Sequence, residues 1–259
     1  MSSVATFVSK VKIERARKHL QELTTAIKEF LASNPFSVIY EDEAETGDRV
    51  YLVKINRQIP VEWGAIIGDI VHNARASLDL LAWQMVLANG GTPNKRTKFP
   101  ISSNAQEFEK RDIKHLFGAS DKAIQFIRDL RPYQGGNESL WRLHNLDITD
   151  KHRLILTVGA AFRHVEITTK MKVPWQGKPI EFPSIAIRPA DRLFPLIDGA
   201  KVFRIEAQAR KEGTSQDYFR FAFDIAFGDG EVIKGESVLP ILQNLCDDVA
   251  KILDRVKLI

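Results

Sequence analysis

The chain has 259 residues, 44% hydrophobic and 27% charged, with 37 Lys and Arg against 33 Asp and Glu for a formal charge of +4. That is ordinary for a globular protein of one large or two intimate domains with a real core, and so small a basic excess neither requires nor excludes a nucleic-acid partner. The single cysteine, Cys246, excludes an intramolecular disulfide and a cysteine-rich zinc site. No run approaches the roughly 20 apolar residues that span a bilayer, and MSSVATFVSKVKIERARK lacks the apolar core of a signal peptide. The expectation is a soluble, cytoplasmic protein of bacterial style with no membrane partner.

In chain order, residues 9 to 33 predict a helix whose Ile13, Ala16, Leu20, Leu23, Ile27 and Phe30 recur three and four apart, ended by Pro35. FSVIYEDE and DRVYLVKIN around AETG predict a hairpin over 36–56. The acidic run Glu41, Asp42, Glu43 and Glu45 at its tip reads as solvated. Pro60 then opens a long helix closing at ANGGTP, in which Gly64 and Gly68 suggest close approach of a neighbouring backbone or room for a ligand. Short helices are expected near 104–115 and 120–130, the second started by Ser120 and Asp121. ESLWRLHNLDITDKHRLILTV interleaves polar and apolar residues so densely that some charges must be buried or line a cleft.

After about residue 160 the period changes to two. HVEITTKMKV, KVFRIEAQAR, DYFRFAFDIAF and EVIKGESV read as strands, and the proline-rich IEFPSIAIRPADRLFP as edge strand or loop. The chain closes on a helix with Val238, Leu242, Leu245, Val249, Ile252 and Val256 in a heptad-like stripe, so that the terminal helices either pack together or form a homodimer seam. The fold class is α+β: a helical bundle half over 1–158 with an inserted β-hairpin, followed over 159–259 by an antiparallel sheet and a closing C-terminal helix, expected to form one compact unit because no linker divides them.

Two stretches carry the chemistry. In GDIVHNARASLDLLAWQ, Asp69, His72, Asp79 and Trp83 share one helical face, while Ile67, Ile70, Val71, Ala74, Leu78, Leu81 and Met85 crowd the other. The second stretch adds His144, Asp147, Lys151, His152 and Arg153. Histidine beside carboxylate and arginine suits phosphate chemistry: His72 with Asp69 or Asp79 as proton-transfer pair, His152 beside them, and Arg75, Arg153 or Lys151 as anion clamp. Asp79, His144 and Asp147 complete a ligand-binding set. The same residues also suit a non-catalytic polar network that fixes the register of two packed helices. A metal-dependent hydrolase is the third reading, from Asp69 and His72 at i,i+3, although HExxH and cysteine ligands are lacking. No metal or other cofactor is expected. Walker, Rossmann and GxSxG signatures are also lacking, which disfavours P-loop, dinucleotide and α/β-hydrolase chemistry. Cys246 reads as a packed small hydrophobe.

GDIVHNARASLDLLAWQ, FPI at 99–101 and LDITDKHR together resemble an uncharacterised group of bacterial proteins with a GDxxHNxRxxLDxLxW helix and a downstream DKHR segment. More distantly the helical half resembles the HEPN bundles of toxin and phage-defence systems, many of them metal-independent ribonucleases. The HEPN spacing of Arg, four to six residues, then His has no match here, since Arg111 and His115 are too close and Arg142 and His152 too far apart. The resemblance implies RNA or a nucleotide as partner, with either an active site rebuilt from His72, Arg75 and the DKHR segment or no catalysis at all.

Overall fold

The computed structural model describes residues 3–153, 158–172, 179–181, 185–187, 194–208, 215–228 and 233–256. Helix α1 (Ser3–Ala32) is followed by a hairpin of β1 (Phe36–Asp42) and β2 (Arg49–Ile55), then by the long α2 (Glu62–Ala88). The predicted helix near 104–115 divides into α3 (Ala105–Lys110) and a 3-10 turn (Asp112–Leu116). Next come α4 (Asp121–Leu130) and α5 (Glu138–Arg153). Strands β3 (Val158–Lys172), β4 (Pro179–Glu181), β5 (Ile185–Ile187), β6 (Lys201–Ile205) and β7 (Ser215–Phe227) lead to α6 (Val238–Val256). The α+β class is thereby established.

Start signals in the sequence act as expected. The Ser120 hydroxyl accepts from the backbone N–H of Ala123 at the head of α4, and Asn104 does the same for Glu107 at the head of α3, each satisfying a donor that a first turn leaves unpaired.

The apolar stripes of α1 and α6 are buried within one chain. Ile13, Ala16, Leu20, Leu23, Ile27 and Phe30 meet the same core as Val238, Leu242, Leu245, Val249, Ile252 and Val256. Full burial of each large aliphatic side chain contributes about 1.5–3 kcal/mol over exposure. Lys10–Asp254 and Arg17–Asp247, both 2.8 Å, set the two helices antiparallel. The terminal helices thus pack together, and the stripes that suggested a homodimer seam are covered by the chain itself. Ser77 on α2 donates to the carbonyl of Ser9 on α1 in a buried contact of 2.9 Å.

The hairpin recruits β6 from the second half of the chain, in the order β1-β2-β6. In the other sheet β3 pairs with β7 along one edge and with the short β4 and β5 along the other, so the proline-rich segment does supply edge strands. The sheets meet through aromatic rings: Tyr51 lies 5.3 Å from Phe219 and 5.5 Å from Phe221, and Phe36 lies 5.4 Å from Phe223. Rings at this spacing pack tilted or edge-on, which suits a layer contact.

Two expectations are corrected. EVIKGESV is not a strand over its described part: residues 233–237 turn, with Gly235 at φ 74°, and only Ser237 bridges Ala226. Glycine adopts that left-handed conformation without steric cost, and α6 follows directly. Nor is the acidic hairpin tip merely solvated. Asp42 pairs with Arg49 at 2.8 Å, and Glu43 meets Arg204 at 3.0 Å and Lys201 at 3.4 Å. The backbone N–H of Ala207, then Arg204, hold the Asp48 carboxyl below its ordinary pKa. Because β6 pairs with β2, its cations reach the tip, which the local sequence of the hairpin does not reveal.

Candidate functional site

Helix α5 buries Leu140, Leu143 and Leu146 in the core and, beside them, the carboxylate of Asp147, whose side chain is 5% exposed. A buried carboxylate needs partners, because uncompensated charge in the interior costs several kcal/mol. Asp147 finds two at the α2–α5 boundary. Its Oδ1 lies 3.3 Å from His72 Nδ1, and its Oδ2 accepts from Lys151 Nζ at 2.6 Å. With Nδ1–H donating to Asp147, the Nε2 lone pair of His72 is left free on a ring that is 49% exposed. Lys151 is 44% exposed, so a cation and an oriented imidazole present themselves to solvent over one buried anion.

His72 therefore meets Asp147, not Asp69 or Asp79 as the helical spacing suggested. Asp69 is exposed, and the acid beside it is Asp150. Burial, then the charges of Asp147 and Asp69, raise the pKa of Asp150 above the usual carboxylate range. Gly68 makes room for it. A Cβ there would run into the Asp150 carboxylate, so Gly68 makes close approach possible for a side chain of α5 and not for a neighbouring backbone.

One turn along α2 the character changes. Arg75 is buried, with its side chain 4% exposed. Its Nη1 donates to Asp79 Oδ1 at 2.7 Å and its Nη2 to the carbonyl of Phe99 at 2.9 Å, while the Phe99 N–H donates to the same Asp79 oxygen at 2.9 Å. The pair clasps both backbone groups of Phe99, the first residue of the FPI segment, and pins it against α2. Arg75 and Asp79 are thus both engaged in chain structure, holding Phe99 against α2. Arg75 Nε is buried without a partner.

His144 lies between these regions on α5. Its ring is largely interior, and Nδ1 is buried without a hydrogen bond. Burial, then the charges of Arg75 and Lys98, push its pKa down to about 4, so the imidazole is neutral near pH 7. It therefore offers no cationic contact there to an anionic ligand. His152 and Arg153 occupy the last turn of α5, and their side chains, with the expectation that His152 and His72 share a pocket, lie outside the described residues.

Sequence reasoning missed Asp150, for which no local pattern signals the pairing with Gly68. It also missed the Phe99 backbone as partner of Arg75 and Asp79, which lies 20 positions beyond Asp79. Among the described residues no group of three or more His, Cys, Asp or Glu is placed to hold a metal ion, and no helix is long and apolar enough to cross a membrane. Cys246 is buried on α6, which pushes its thiol up to about 12. Comparison with protein-family models, curated proteins and solved structures returns no match.

Proposed function

We propose that the chain binds a phosphate-bearing ligand, RNA or a nucleotide, against the exposed edge of His72 and Lys151, and that the His72–Asp147 pair supplies the means of metal-independent cleavage. The observation that carries this reading is the buried Asp147 holding an exposed imidazole by Nδ1 and an exposed ammonium through its second oxygen. Asp147 is compensated by those partners, so the surface is less hostile to phosphate than its neighbouring carboxylates suggest. On RNA, His72 Nε2 takes the proton of a 2′-hydroxyl, that oxygen bonds to phosphorus, and the bond to the 5′-oxygen breaks. The departing oxygen takes up a proton from water, leaving a cyclic phosphate and a 5′-hydroxyl. A positioned acid or base contributes about 10²–10⁴-fold to such a step. The resemblance to HEPN bundles supports a toxin or phage-defence setting.

A second reading, a non-catalytic interaction module, is favoured by the Arg75–Asp79–Phe99 clasp, which accounts for two of the four candidate site residues on α2 by structure alone. His72→Ala separates the two. Loss of cleavage of a mixed-sequence RNA by a chain that still unfolds cooperatively is the expected result. Unchanged turnover, or a protein that no longer folds, defeats it.

A further inference from the structure

The turn after α3 carries Phe117, whose 85% exposure exceeds that of every other exposed large hydrophobic residue among those described. Its N–H bonds the Lys114 carbonyl at 3.1 Å, and residues three apart in a 3-10 turn eclipse, which sets the exposed Lys114 on the same side. The loop after α2 runs against this turn. Asn89 Nδ2 donates to the Gly118 carbonyl at 3.1 Å, and a Cβ on Gly91 would lie 2.8 Å from that oxygen. The loop continues into Lys95, Arg96 and Lys98, all exposed.

Lys95, Arg96, Lys98 and Lys114 form no ion pair among the described residues, because the nearby carboxylates are committed elsewhere. Glu107 and Asp112 are held by Arg111, and Glu109 by Arg128. The charge of Lys98 acts on both His115 and His144, which ties this surface to α5. From His144 to Lys151 that helix advances about 10 Å at 1.5 Å per residue, a span of a few nucleotides.

We propose that this surface docks single-stranded RNA, its phosphates along Lys95, Arg96, Lys98 and Lys114 and one unpaired base stacked on Phe117, leading the strand toward His72. The choice of RNA rests on the cleavage reading above, since His72 needs a 2′-hydroxyl to act on. Uncompensated cations with an exposed ring are the combination that single strands use: backbone charge is neutralised while any base can stack. A duplex keeps its bases stacked inside. A membrane surface calls for a broad apolar helix face, and this turn offers one ring.

The test is fluorescence anisotropy of the full chain with a labelled single-stranded RNA of about 12 nucleotides, within the usual site sizes. Phe117→Ala is expected to weaken binding about 10-fold and Phe117→Trp to retain it. Lys95→Gln and Lys98→Gln should each reduce the slope of log Kd against log salt by roughly 0.7. All three positions are exposed, and unchanged melting confirms that the fold is kept. No binding to RNA, binding indifferent to Phe117, equal binding to duplex RNA, tighter binding to the matching DNA strand, or Phe117-dependent capture by anionic vesicles without RNA binding each overturns the proposal. Weakened binding in Phe117→Ala with turnover untouched by His72→Ala would support docking and defeat cleavage. The reverse pattern would keep cleavage and defeat docking.

Discussion

Asp79→Ala tests the division of α2 into a structural half and an open half. The substitution removes the oxygen that accepts from Arg75 Nη1 and from Phe99 N, leaving a guanidinium that is 4% exposed with the Phe99 carbonyl as its remaining partner. A hydrogen bond to a charged group contributes about 1.5–3 kcal/mol, and a buried donor left unpaired costs about 1–3 kcal/mol. Asp79 is 39% exposed, so water replaces part of what is lost, and the net cost is about 2–3 kcal/mol. For a chain of this size that lowers Tm by roughly 4–12 °C. Asp79→Asn keeps an acceptor and should lose less. The assay is thermal unfolding followed by circular dichroism, with urea denaturation as a second measure. Because Arg75 and Asp79 act on one another, Arg75→Met with Asp79→Ala should cost less than the sum of the two. A Tm within about 1 °C of the parent for Asp79→Ala would refute the clasp.

His144 predicts a pH dependence. Its folded pKa of about 4 lies below the ordinary 6.5, so between those values the unfolded chain binds the extra proton. Its contribution to stability is therefore intact above pH 6.5 and is lost as pH falls toward 4, at up to about 1.4 kcal/mol per pH unit. His144→Gln should remove that part of the pH dependence of the denaturation midpoint, so that the difference between the two proteins changes between pH 6.5 and 4, and parallel curves would count against a buried neutral ring. Gly68→Ala drives a Cβ into the Asp150 carboxylate and should destabilise by about 1–3 kcal/mol, as overpacking does. Adding Asp150→Ala should restore most of that loss in urea denaturation, and additive losses would show that Gly68 serves something else.

The sequence discloses most where burial is periodic. The stripes of α1 and α6, the hairpin, the cap at Ser120 and the strand character of β3 and β7 follow from spacing and turn chemistry, because one face of each element meets a continuous core. What it conceals is pairing at long range. Asp69 and Asp79 are the acids that helical spacing offers His72, yet the bond goes to Asp147, 75 positions away, since α5 lies across α2 and carries its own buried carboxylate. Arg75 looks like a clamp on sequence because arginine suits phosphate, while its burial and its backbone partner at Phe99 show only in the fold. Phe117 stands out only when exposure is known, since a lone phenylalanine in a short helical run reads as core. The tip of the hairpin likewise looks solvated until β6 brings Arg204 beside it.

The measurement that bears most directly on the central division is a histidine-ring NMR titration of the ¹⁵N-labelled chain with single-stranded RNA, using His72→Ala and His144→Gln to assign the signals. The structure predicts that the His72 ring signals move on addition of RNA, while the His144 ring, neutral and interior, stays where it is. Movement of His144 with His72 unmoved would contradict the account.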